Sequence, residues 1–283
     1  MKKSGKKPAP RRRPGRKKDS PRDYLEAAVE IARAAGKTLR QEFDRPPQIA
    51  YKTEFDLVTQ ADRRSEKLIV SRLRKFFPQH SVAAEEGSGG DTGSPFRWHV
   101  DPLDGTTNFA HGYPCFAVSI ALAKDDVLLA AVVYNPIYDE LFAAARGEGA
   151  TFNGRKMRVS QNGTLARSLL CTGFPNHKRD ANPNIHFYWD FTLRSHGVRR
   201  DGSAALDLAF VAAGRFDGFW EFGLNPWDTA AGLLLVEEAG GTVTDLEGRP
   251  YRLGGRSILA SNGRIHSEMQ QVAAEVAAQK NKA

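Results

Sequence analysis

The chain has 283 residues, 41% of them hydrophobic, and two cysteines, which allows one large domain or two lobes and excludes a disulfide framework. The net charge of +8 resides in residues 1–20, where ten Lys and Arg face Asp19 alone for a local +9, so residues 21–283 sum to −1 and nucleic-acid binding through the main surface is excluded. No apolar run of ~18 residues predicts a membrane span, no apolar segment of secretory type follows the basic stretch, and a reducing cytoplasm is the expected compartment.

Residues 1–18 are mostly Lys, Arg, Pro and Gly. They cannot bury enough surface to offset the entropy of ordering, so they are expected to be disordered. Ser20-Pro21-Arg22-Asp23 reads as a helix start, with Ser at the cap, Pro at the first position and an acid in the first turn. Leu25, Ala28, Val29, Ala32, Leu39 and Phe43 follow at helical spacing, and Pro46-Pro47 closes the segment. A second helix is predicted over about 59–77, with Leu68, Ile69, Leu73 and Phe76 inward and Pro78 as terminator. Residues 116–122, 127–134 and 140–145 are short apolar runs separated by turn signals, the pattern of a meander. The pattern then changes to a helix over 203–213, a strand over 216–221 and a helix over 228–239 stopped by Gly240-Gly241. Strands over 242–245 and 257–261 and a helix over 265–280 follow. The change predicts a basic tail (1–20), an N-terminal α+β lobe carrying acidic loops (21–156) and a C-terminal α/β lobe (157–283).

The most informative stretch is Asp101-Pro102-Leu103-Asp104-Gly105-Thr106-Thr107-Asn108, directly after the short run Arg97-Trp98-His99-Val100. A strand ending there would hold both carboxylates at its mouth, with the N–H groups of Gly105 and Thr106 free to turn toward an anion. Hard divalent cations need oxygen ligands, and a transferring phosphoryl group needs cations and N–H donors. Asp-Gly is also an ordinary turn dipeptide, so the reading depends on the rest of the chain. Glu85-Glu86 follows Val82-Ala83-Ala84 and precedes Gly87-Ser88-Gly89, which predicts an acidic pair at a strand end beside a mobile loop. Asp228 lies in Asn225-Pro226-Trp227-Asp228-Thr229-Ala230-Ala231-Gly232, where it also reads as a helix N-cap. Asp62 closes the run 56–62, downstream of Lys52, and an acid at a helix start also reads as a dipole-matched surface residue. Glu85, Asp101, Asp104 and Asp228 bring four negative charges, and a phosphate monoester brings about two more. Two or three Mg²⁺ ions answer that sum, and the absence of His and Cys from the set favours a hard metal.

In order and spacing these motifs resemble the inositol monophosphatase family of magnesium-dependent, lithium-sensitive phosphomonoesterases, from about Tyr24 to the last helix. The resemblance implies a mixed α/β chain with a five-layered αβαβα sugar-phosphatase fold, two lobes with the site between them, and a homodimer. It implies that Asp101 bridges two magnesium ions, that the Leu103 carbonyl, Asp104, Glu85 and Asp228 complete the ligand set, and that Thr106 orients a water with Asp62 as its proton acceptor. Gly105 and Thr106 would bind phosphoryl oxygens. Asp104, Gly202, Ser203, Ala204, Glu221 and Asp228 would recognise a small phosphorylated polyol, although Gly-Ser-Ala-Ala by itself reads as plain helix packing. The expected reaction is hydrolysis of myo-inositol 1-phosphate by metal-activated water. Fructose-1,6-bisphosphatase, histidinol-phosphatase or nucleotide phosphatase activity are alternatives within the fold. An alternative of another class is a nucleic-acid- or ribosome-associated factor that binds polyanions weakly through residues 1–20 and no membrane.

Overall fold

The predicted cap at Ser20 opens the first helix: Ser20 and Asp23 each accept from the other's backbone N–H, a reciprocal pair that satisfies two orphan donors. In chain order the elements are α1 (Pro21–Phe43), β1 (Ile49–Thr53), β2 (Asp56–Thr59), α2 (Gln60–Phe76), β3 (Ser81–Ala84), β4 (Phe96–Asp104), α3 (Thr106–Ala110), β5 (Ala117–Lys124), β6 (Val127–Asn135), β7 (Glu140–Ala145), β8 (Gly149–Phe152) and β9 (Arg155–Lys156). They continue with β10 (Leu169–Thr172), α4 (Ile185–Arg194), β11 (Gly197–Arg199), α5 (Ala204–Ala212), β12 (Gly218–Phe222), α6 (Pro226–Glu238), β13 (Thr242–Thr244), β14 (Ser257–Ser261) and α7 (His266–Lys280). The computed structural model describes residues 20–45, 49–53, 56–175 and 182–280. The basic tail through residue 19 and the Pro46-Pro47 terminator lie outside the described residues, as does the Lys52 side chain.

A seven-stranded sheet runs β3-β4-β5-β6-β7-β8-β9, and a five-stranded sheet runs β11-β10-β12-β14-β13. In the first, β3 and β4 are parallel and the other pairs are antiparallel. On β5 the side chains alternate between two cores. Val118, Ile120 and Leu122 join the residues of α1 and α2, whereas Ala117, Ala121 and Ala123 join those of α5 and α6. Both faces are covered, which is why this strand reads as one continuous apolar run. The five-stranded sheet repeats the arrangement. Cys171, Phe219, Ile258 and Ala260 face α5 and α6, while Leu170, Trp220 and Leu259 face α4 and α7. The layers are therefore α1/α2, sheet, α5/α6, sheet, α4/α7, the five-layered order expected. Helices α5 and α6 lie between two sheets and are apolar nearly all round, as doubly covered helices must be.

The close approach of α5 and α6 explains the glycine in Pro-Trp-Asp-Thr-Ala-Ala-Gly. A Cβ at Gly232 would collide with the Leu208 side chain of α5, inside a layer that has no exposed side to yield toward. Gly232→Ala should cost about 1–3 kcal/mol of stability by overpacking. A urea or thermal melt checks this, and an unchanged midpoint would contradict the close packing.

Candidate active site

Strand β4 runs on through Asp101 to Asp104, with an irregularity between the two. Asp101 pairs with Ser119 and Asp104 with Ala117, so two residues on β4 oppose one on β5. This extra residue has a direct chemical consequence. In a regular strand, positions 101 and 104 would point to opposite faces. The bulge restores the phase, so Asp101 and Asp104 open on the same cleft while Leu103 turns its side chain into the α1/α2 core. Gly105 follows with φ +94°, and a Cβ there would press on the Cys115 carbonyl at 2.9 Å, so the turn requires glycine.

A cleft of about 300 Å³ gathers Glu85 after β3, Asp101, Leu103 and Asp104 on β4, Gly105 and Thr106 at α3, Gly202–Ala204 at the start of α5, Glu221 on β12 and Asp228 on α6. Among the sequence-derived candidates, Asp62 is the one outside this lining. It lies behind Thr106, fully buried, where the Thr106 hydroxyl reaches its Oδ1 at 3.0 Å and the Leu103 carbonyl at 3.1 Å. Its Oδ2 accepts from the Thr59 N–H at 2.8 Å and the Thr59 hydroxyl at 2.5 Å. Asp62 is thus both the third helical residue of a capping box and a hydrogen-bond partner of Thr106; the surface alternative does not hold. Burial raises its pKa even against these donors.

Three local expectations change. Asp228 is not the helix N-cap: α6 begins at Pro226, Asn225 caps it, and Asp228 reaches back to the Asn225 N–H at 2.8 Å. Proline at the first helical position carries no N–H to satisfy, which moves the start two residues earlier. The loop after Glu85 is tied down rather than mobile. The buried Glu66 carboxylate accepts from the Glu86 N–H at 2.6 Å and from the Ser88 N–H at 2.8 Å and hydroxyl at 2.5 Å, and Arg74 donates to the Ser88 and Gly89 carbonyls. Leu68 and Phe76 are half-buried at the core margin. Ser203 caps α5, and its hydroxyl donates to Asp104 Oδ2 at 2.5 Å while the Ala205 N–H reaches the same oxygen at 2.8 Å. The end of β4 and the start of α5 therefore meet at Asp104.

The electrostatics follow from crowding. Burial, then the charges of Glu85, Asp104 and Asp228, push the Asp101 carboxyl well above the usual carboxylate range. Asp104 is pushed up to about 6 by burial, against the donors of Ser203 and Ala205. Asp228 is raised by burial and by Asp104. Among the described residues no group of three such side chains forms a ready-made ion cage; the carboxylates share the cleft as mutually repelling neighbours. The donor set itself is all oxygen, with no His or Cys among the lining residues, and it fits a hard divalent cation.

Sequence reading passed over Arg200, Asn225, Asp207 and Gly173 in the lining, Glu66 behind the Glu85 loop, and Asn108. The Asn108 amide bridges the Cys115 and Asp201 carbonyls, both at 2.7 Å. Asp207 had a legible signal, a lone acid inside the apolar run 204–212.

Glu221 is pushed up to about 8, first by burial and then by Asp228 and Asp104. In an unfolded chain a glutamate titrates near ~4.3. Between about pH 7 and about pH 8.5 the folded protein therefore loses a proton that the unfolded chain does not hold, and stability falls as pH rises. In EDTA the protein should lose about 1 kcal/mol, or about 2–4 °C of Tm, over that interval. Glu221→Gln should flatten the dependence in the same melts. Below about pH 6.5 the buried neutral His99 and His266, both held below the ordinary imidazole range by burial, act in the opposite sense.

Residues 20–281 match the family model described as the inositol monophosphatase family. The chain belongs to the inositol monophosphatase family. An inositol-1-monophosphatase of Synechocystis sp. is 46% identical over 89% of this chain and 88% of its own length. A protein of Pseudomonas aeruginosa named Nus factor SuhB is also 46% identical, over 84% of this chain and 91% of its own. The solved structure of an inositol monophosphatase from Anabaena (Nostoc) sp. PCC 7120 superimposes with a TM-score of 0.82 at 43% identity, over 90% of this chain and 96% of that one. Family membership makes the chain a phosphoric monoester hydrolase. No described helix is long and apolar enough to cross a membrane.

Proposed function

We propose that the protein hydrolyses a small phosphorylated polyol, myo-inositol 1-phosphate above the alternatives. The observation that carries this reading is the convergence of Glu85, Asp101, Asp104 and Asp228, from three separate segments, on one cleft beside the Thr106–Asp62 hydrogen bond. Glu85, Asp101, Asp104, Asp228 and the Leu103 carbonyl would hold two or three Mg²⁺ ions. When bound, such ions neutralise the phosphoryl charge, lower the pKa of water and stabilise a leaving alkoxide.

Each residue has a distinct task in this reading. The Thr106 hydroxyl orients the attacking water and, passing its own proton to Asp62, takes the water's proton. Burial raises the Asp62 pKa, which makes that carboxylate a better acceptor. The N–H groups of Gly105 and Thr106 face the phosphoryl oxygens. Glu221, Asp104 and Asp228, with the backbone of Gly202, Ser203 and Ala204, bind the polyol. The water oxygen bonds to phosphorus as the P–O bond to the polyol breaks, with no phosphoenzyme.

Phosphate release with Mg²⁺ from inositol 1-phosphate, fructose 1,6-bisphosphate, histidinol phosphate and a nucleoside monophosphate tests the substrate. The highest kcat/KM should belong to inositol 1-phosphate, and a tenfold preference for another compound transfers the reading to it. The same proposal includes uncompetitive inhibition by millimolar lithium, a homodimer and a cytoplasmic location. A second reading is favoured by the relative named as a Nus factor and by the +9 charge of residues 1–20. That tail lacks aromatics for base stacking, so it would contact phosphates only and lose affinity steeply with salt. Equal RNA affinity of full-length and 21–283 proteins across a salt series removes it.

A further inference from the structure

Asp207 is 1% exposed and lines the cleft, yet its Oδ1 has no hydrogen-bond partner among the described residues. A buried polar atom without a partner costs about 1–3 kcal/mol and calls for an explanation. Capping of α5 does not supply one. The first-turn N–H groups of that helix are already taken by Asp104, which accepts from Ala205, and by Ser203, which accepts from Leu206. Nor is Asp207 a surface acid matched to the helix dipole, since it is buried along with the helical residues on either side of it in the chain. The charged groups that act on it are Asp201 and, from the cleft, Glu221 and Asp104, with Arg200 opposing them.

The neighbouring Glu221 supplies the second part of the geometry. Its carboxylate lies directly against the backbone of Gly173, where any Cβ would occupy its place. Two carboxyl groups, one from α5 and one from β12, thus reach the cleft, and Gly173 keeps the floor beside Glu221 free of a side chain.

We propose that Asp207 is a specificity-determining residue that hydrogen-bonds a hydroxyl of the leaving polyol, next to the hydroxyl held by Glu221. The ligand class is a phosphomonoester whose alcohol carries free hydroxyls beyond the esterified one. This inference rests on the phosphomonoesterase reading and adds a residue to it. A site built to pair with a hydroxyl discriminates strongly against compounds that lack it, because the buried group is then left unpaired.

The test compares kcat and KM of wild type, Asp207→Leu and Asp207→Ala, with Mg²⁺, on inositol 1-phosphate and on p-nitrophenyl phosphate, whose leaving group offers no free hydroxyl. The ratio of kcat/KM, inositol 1-phosphate over p-nitrophenyl phosphate, should fall about 10–100-fold in both variants. Asp207→Leu should also melt no lower than wild type in EDTA, because an apolar side chain of similar shape removes an unpaired buried group. If Asp207→Leu does not fold, the ratio in Asp207→Ala decides. A ratio within about twofold of wild type overturns the proposal, even if both activities fall together, because that is the behaviour of a packing residue. If wild type releases no phosphate from either compound, the phosphomonoesterase reading fails first and takes this inference with it.

Discussion

Asp101→Asn should lower kcat/KM for phosphomonoester hydrolysis by at least about 10³-fold while leaving the fold intact. The side chain is 2% exposed, and its Oδ1 accepts from the Leu103 N–H at 3.0 Å. Asparagine keeps that acceptor and the volume, so the bulge that aims Asp101 and Asp104 together is preserved. What disappears is one negative charge in a cleft where Glu85, Asp104 and Asp228 already repel it. Two opposite effects are therefore expected from one substitution. Cation affinity should fall, because in the proposed reading Asp101 is the carboxylate that serves more than one ion. Melting in EDTA should occur at a higher temperature, because the repulsion is relieved. Calorimetric titration with Mg²⁺, thermal melts and phosphate release together check this. Near wild-type turnover, or a lower Tm without loss of cation binding, would refute the assignment of Asp101 to the site.

Thr106→Ala should reduce kcat about 10²–10⁴-fold, the range of positioned acid–base groups, and Thr106→Ser should recover most of it. The hydroxyl links the cleft to a carboxylate that does not reach the cleft itself, so any action of Asp62 on the cleft has to pass through Thr106. Asp62→Asn then separates two roles. Asp62 also closes the capping box of α2 with Thr59, and loss of that contact alone would cost about 0.5–2 kcal/mol of stability with unchanged chemistry. If Asp62 takes the Thr106 proton, kcat falls, and the acidic limb of the pH–rate profile disappears or moves. An Asp62→Asn protein with a lower Tm and the wild-type profile would show that the capping box is its whole function.

Local chemistry made much of this protein legible before any tertiary contact was known. The helix cap at Ser20 follows from a short side-chain oxygen that satisfies a nearby N–H group, and such a contact is written within four residues. The meander 116–145 follows from apolar runs broken by turn residues. Asp101, Asp104, Glu85 and Asp228 stood out because hard-oxygen groups were clustered beside glycine turns, and the family resemblance joined them.

Other features depend on contacts that no local pattern encodes. Strand β10 and helix α4 are short, and they lie next to segments with no strong period. The bulge in β4 is a matter of register against β5, and only that register turns Asp104 to the side of Asp101. Glu66 reads as an exposed helical acid, yet the fold brings the Glu85 loop onto it. Asp207 reads as an interruption in an apolar helix, and only the stacking of α5 between two sheets makes it a buried acid in a cleft. Sequence alone determined which groups carry the charge, because that is a property of residue type and short-range geometry. Tertiary structure decided which of them share a dielectric and face one another, because desolvation and Coulomb energy depend on distances between segments far apart in the chain.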